Sequence, residues 1–78
     1  MSEIKGKGLE FKKSDSPREW AVYLDGDWMG RVRQGSPNVM GDRLWSGTTT
    51  HATVAVREEW DRDTAAWEVI REERRERA

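Results

Sequence analysis

Residues Trp20–Gly35 read WAVYLDGDWMGRVRQG, and this stretch decides the fold. Alternate positions are apolar or small on both sides of the Asp25-Gly26 pair: Trp20, Val22 and Leu24 before it, and Trp28, Gly30 and Val32 after it. Period-two alternation belongs to a half-buried strand. Glycine accepts the positive φ that tight hairpin turns demand. The stretch therefore predicts two antiparallel strands joined at Asp25-Gly26. Loop length sets the faces, because a slip by one residue turns every side chain over. A two-residue loop sets Trp28 opposite Tyr23 and leaves Trp20 facing Arg31. An odd loop, with Gly26 beside a bulge, gathers Trp20, Val22, Trp28 and Val32 on one face. Ala21, Tyr23, Met29, Arg31 and Arg33 then occupy the other. The odd loop is expected, because it collects the large apolar groups.

Outward from the hairpin, residues 1–16 read as a flexible N-terminal arm in which Leu9 and Phe11 form a short edge strand or an anchor. Ser14-Asp15-Ser16-Pro17 is a turn cluster that opens a single domain over residues 17–78. A loop from Gly35 to Gly41 leads to a third strand over Arg43–Ser46. Thr48–Arg57 reads as a fourth strand from its β-branched content and the alternation of Ala52, Val54 and Val56. A competing helical reading puts Ala52, Val56, Trp60, Trp67 and Ile70 near one stripe. Three threonines before His51 are poor helix starters, which favours the strand. A C-terminal helix begins at a cap supplied by Asp61 or Asp63. Ala66, Trp67, Val69 and Ile70 form its expected buried stripe. The charged residues after Ile70 have nothing apolar to pack, so the last turns are expected to fray.

Composition bounds the rest. The chain has 78 residues, a formal net charge of −1, five tryptophans, one histidine and no cysteine. So small a domain buries a modest core. Disulfides and thiolate metal sites are excluded, so tryptophan is the natural staple, at roughly 200 Å² buried apiece. Every lysine lies within the first thirteen residues, and every later cation is arginine. The balanced charge gives no electrostatic case for a sequence-independent nucleic-acid binder or a membrane-surface protein. No apolar run approaches a membrane span, and MSEIKGKGLEFKK lacks the apolar segment of a signal peptide, so a cytoplasmic location is expected.

The chemistry-bearing residues do not assemble a reaction centre. His51 follows Gly47-Thr48-Thr49-Thr50, but nothing orients it as a base. Ser46-Gly47-Thr48 lacks the lysine and the following helix of a phosphate loop. Asp25-Gly26-Asp27 is too short for a calcium loop, and Glu58, Glu59, Asp61 and Asp63 read as a solvated acidic linker. No catalytic residue, cofactor or metal site is expected. Tyr23, Met29, Arg31 and Arg33 on the outer face of the hairpin, with Trp45, have the aromatic, methionine and arginine content of a protein interface. Arg31, Arg33, Arg43 and Arg57 offer an alternative, since strands can lay arginines along a nucleic-acid groove.

The pattern Trp20-x-Val22-x-x-Asp25-Gly26-x-x-x-Gly30-x-Val32, then Trp45, then Thr64-Ala65-Ala66, resembles small proteins of actinobacteria and their phages. It is also similar in layout to the arm-binding domain of tyrosine integrases. The resemblance covers roughly residues 20–70 and implies a strand meander backed by one helix. The chain departs from the integrase type in lacking a strongly basic sheet, so no functional residue is carried over.

The reading from sequence is an α+β domain: a three- or four-stranded antiparallel sheet with one C-terminal α-helix packed on one face. The expected function is that of a small, phage-encoded, non-enzymatic protein acting by protein–protein contact on a host or cognate protein. The alternatives are a DNA- or RNA-binding accessory protein and a structural protein that pairs through a sheet edge.

Overall fold

The computed structural model describes residues 8–78. Five strands form one antiparallel meander in the order β1-β2-β3-β4-β5, followed by a helix. They are β1 (Leu9–Lys13), β2 (Glu19–Leu24), β3 (Asp27–Pro37), β4 (Arg43–Thr49), β5 (Val54–Glu59) and α1 (Arg62–Arg77). The layout is the expected α+β one, with five strands in place of three or four. Two differences stand out: an added edge strand, which raises the count to five, and a redrawn boundary between the last two strands. Leu9–Lys13 pairs with β2 along its whole length and is an integral edge strand. The rest of the proposed arm, residues 1–7, lies outside the described residues. Thr48–Arg57 is not one strand but the end of β4, a turn and the start of β5. The Thr49 hydroxyl accepts the Thr53 and His51 amides, and Ala52 takes a φ of 65°. Such local hydroxyl bonds give the backbone an alternative to the sheet ladder, and here they turn it.

The hairpin at Asp25-Gly26 forms, but with the two-residue loop. Asp25 and Gly26 have φ of 54° and 82°, the two positive values of a type I′ turn, and Leu24 pairs with Asp27 across it. Tyr23 then faces Trp28, while Val22 pairs with Gly30, so Met29 is the extra residue of a bulge. The bulge resets parity two residues past the turn. Trp28 therefore points away from the core, Met29 points into it at 3% exposure, and Val32 returns to the core beside Trp20. The expectation that Trp28 shares the core face and Met29 the outer face is reversed.

The helix lies over β3, β4 and β5. Asp61 caps it by accepting the Thr64 amide at 3.0 Å. Its buried stripe is Ala65, Ala66, Val69, Ile70 and Glu73. Trp67, expected in the core, is 41% exposed. The reason is close approach. A Cβ built on Gly30 would run into the Thr48 carbonyl and the Val69 side chain, and one on Gly47 would also strike Val69. Val69 thus seats in a hollow that two strand glycines leave open, and alanines at 65 and 66 let the helix backbone come down onto the sheet. A tryptophan on that stripe would hold it off. Val22, Leu24, Met29 and Val32 complete the core from the sheet side, with Leu9, Phe11, Trp20, Trp45 and Val56 packed around it.

The last helical turns do not fray. Glu73, 1% exposed, accepts hydrogen bonds from the Thr50 amide at 3.0 Å, the Thr50 hydroxyl at 2.8 Å and Arg77 Nε at 2.7 Å. Arg77 also donates to Asp27 and to the Trp28 carbonyl. The helix end is tied to both the β4–β5 and the β2–β3 turns. Among the described residues no helix is long and apolar enough to cross a membrane.

Candidate functional site

With the helix on one face, alternation leaves the other face of the sheet uncovered by any element among the described residues. From β2 it presents Glu19, Ala21 and Tyr23. From β3 it presents Trp28, Arg31 and Arg33, and from β4 Ser46 and Thr48, which pair with Arg33 and Arg31. The bulge that buries Met29 is what places Trp28 here, 38% exposed, directly across from Tyr23. Its indole N–H donates to the Gly30 carbonyl at 2.9 Å, which fixes the ring against its own strand.

Both aromatic rings carry a cation. The Arg31 guanidinium lies 5.6 Å from the Trp28 ring centroid, and Lys12 Nζ lies 4.5 Å from that of Tyr23. These distances are within the range of cation–π attraction. Glu19 stands 3.7 Å from Arg31, a loose pair on a half-exposed arginine. Three shallow depressions adjoin along the face. The first lies among Ser14, Ser16, Tyr23, Trp28 and Arg31, the second among Glu19, Arg31, Arg33, Ser46 and Thr48. The third lies among Ser16, Arg18, Arg33, Gln34, Arg43 and Ser46. Shared residues make them one surface running from aromatic to cationic.

The structure brings together Tyr23, Arg31 and Arg33 from the expected protein-binding set. It removes Met29, which is buried in the bulge, and Trp45. Trp45 pairs with Gln34 one residue out of phase with the Arg33–Ser46 pair, so it lies on the helix side, where its ring centroid is 5.4 Å from that of Trp20. Of the alternative arginine set, Arg31 and Arg33 are central. Arg43 is half-buried at the start of β4 and donates to the Gly35 carbonyl at 3.1 Å. Arg57 is exposed on the edge strand β5. Sequence reasoning missed Trp28 and Arg18 as surface members. The favoured type I′ geometry of Asp-Gly loops was the signal that sets Trp28 opposite Tyr23.

His51 joins a different cluster. Its Nδ1 lies 3.2 Å from Glu76 Oε1 and 3.8 Å from Glu73 Oε1. These three residues offer ligand atoms within 4.8 Å of one another. Glu73 is already occupied by Thr50 and Arg77. Burial opposes its ionisation, but the Arg77 and Thr50 hydrogen bonds and the Arg77 charge outweigh burial and hold the carboxyl below the usual glutamate range. Hydrogen bonds with the Thr53 and Thr49 side chains, aided by His51, lower Glu76 as well. The geometry is that of a structural clasp on the helix end. Comparison with protein-family models, with curated proteins and with solved structures found no match.

Proposed function

We propose that the chain is a small non-enzymatic binding protein that docks a host or cognate protein on the outer face of its sheet. The observation that carries this is the cross-strand Tyr23–Trp28 pair with Arg31 over the indole, on a face that no other element among the described residues covers. Trp, Tyr and Arg are the residue types that dominate binding energy at protein interfaces, and here they stand on rigid strands at little further entropic cost. A nucleic-acid reading draws on the same arginines. It is weakened by Glu19 in the middle of the face and by an overall charge of −1, since phosphate-backbone binding rests on uncompensated cations.

The test is affinity capture from a lysate of the source cells with the full chain as bait, before and after nuclease treatment. A protein retained after nuclease treatment, and lost when Trp28 is replaced by Ala, supports the reading. Retention that depends on nucleic acid, or that ignores Trp28, overturns it.

A further inference from the structure

We propose that the cationic end of this face is a subsite for one phosphate monoester dianion, carried on a phosphorylated side chain of the docked protein. The inference rests on the protein-binding reading above and specifies its partner. The depression there has a volume of about 510 Å³ and is lined by Arg18, Arg33 and Arg43 together with Ser16, Gln34 and Ser46. No carboxylate is among its lining residues. Among the described residues no acid stands within ion-pair distance of any of the three arginines. Glu19, the cross-strand neighbour of Arg33, pairs with Arg31 instead. Arg43 commits one N–H to the Gly35 carbonyl, which holds the side chain at the depression and leaves its other donors free to serve an anion.

Arg18 closes the turn that leads into β2 and is held there by the backbone. It is a non-glycine residue at a φ of 61°, where a side chain is strained, and its carbonyl accepts the Gln34 amide at 2.8 Å. The hydrogen bond pins the strained residue at the rim of the depression.

The arrangement suits a single dianion better than a polymer of monoanions. Three arginines line one depression, and arginine forks match the three oxygens of a phosphate monoester. A nucleic-acid strand leaving the depression along the face would meet Glu19 next, whereas a phosphorylated side chain of a docked protein meets no acid among the residues lining it. The aromatic end would then grip the partner's apolar groups and the arginine end would read its phosphorylation state.

The experiment is an NMR titration of the ¹⁵N-labelled full chain with three probes. They are N-acetyl-Ala-phosphoserine-Ala-amide, the same peptide unphosphorylated, and an oligothymidylate. We expect saturable shifts at the Arg18, Gln34 and Ser46 amides with the phosphopeptide alone. Arg33→Gln, and separately Arg18→Gly, should each weaken that binding about tenfold, as for loss of a charged hydrogen bond. Glycine suits the φ at position 18, so that variant keeps the backbone unstrained. Arg71→Gln on the helix should change nothing. Equal response to both peptides, tighter binding of the oligonucleotide, or folded arginine variants that bind as wild type would each overturn the subsite. If the phosphopeptide fails while capture through Trp28 persists, only the subsite is lost. If Trp28 is dispensable for capture, the underlying reading fails as well.

Discussion

Replacing Glu73 by alanine tests how the helix end is held. In the folded chain this carboxylate, 1% exposed, accepts from the Thr50 amide, the Thr50 hydroxyl and Arg77. Removal leaves the two Thr50 donors without their partner at a half-buried turn. Hydrogen bonds to a charged group are worth about 1.5–3 kcal/mol each where buried. Arg77 adds less, because its side chain is 40% exposed and keeps Asp27. At full burial the two Thr50 bonds would sum to about 3–6 kcal/mol; Thr50 is only half-buried, so water recovers part of the loss and the net cost is about 2–4 kcal/mol, a large part of the roughly 4–12 kcal/mol expected for a domain of this size. The assay is equilibrium unfolding in urea followed by tryptophan fluorescence, with a thermal scan beside it. The midpoint should fall, and the melting temperature should drop by on the order of 10–20 °C. Glu73→Gln, which keeps the shape but sets an amide N–H against a guanidinium, should fall between wild type and Glu73→Ala. The pH dependence has a defined sign. A carboxyl held below its unfolded value stabilises the fold fully above the ordinary glutamate range and loses that contribution as pH falls through the lowered folded value. The wild type should therefore lose its advantage over Glu73→Ala in acid. A change below about 0.5 kcal/mol at neutral pH, the usual effect of an unremarkable surface site, would refute the clasp.

Three further substitutions probe the packing. Gly30→Ala should destabilise the chain by at least about 2 kcal/mol in the same unfolding assay, because its Cβ meets the Thr48 carbonyl and Val69 and its φ is 146°. Trp67→Ala should cost well under the roughly 3–5 kcal/mol of a buried aromatic, since the ring is 41% exposed; a cost in that upper range would contradict the helix orientation. Asp61→Ala should cost about 1 kcal/mol and reduce helical circular dichroism, because the Thr64 amide loses its cap; an unchanged midpoint would show that the cap is dispensable.

Local chemistry was legible in the sequence where it acts within a few residues. The Asp25-Gly26 turn, the cap at Asp61, one of the two aspartates expected to supply it, and the apolar positions Val22, Val32, Val69 and Ile70 all lie where alternation and capping rules put them. What escaped depends on contacts between distant segments. The Met29 bulge flips two residues and then restores the register, so gathering tryptophans onto one face gives the wrong side for Trp28. Trp67 reads as core by size, but the helix approaches over Gly30 and Gly47, and only alanines and Val69 fit there. Glu73 reads as surface charge in an arginine–glutamate run, yet Thr50, distant in sequence, makes it a buried acceptor. Of the candidate surface, Tyr23, Arg31 and Arg33 follow from strand parity. Trp28 and Arg18 require the turn geometry, and Trp45 was lost because its strand runs on to Thr49, which fixes its register against β3.

The most direct test of the outer face as a docking surface is the affinity of the captured protein for a folded Trp28→Ala/Arg31→Ala variant. Calorimetry against wild type, with Trp67→Ala on the opposite side of the molecule as control, gives the comparison. We expect the double variant to lose more than about 2 kcal/mol of binding free energy, as hot-spot residues do, and the control to bind as wild type. Equal affinity for a double variant that unfolds like the wild type would contradict the assignment of this face.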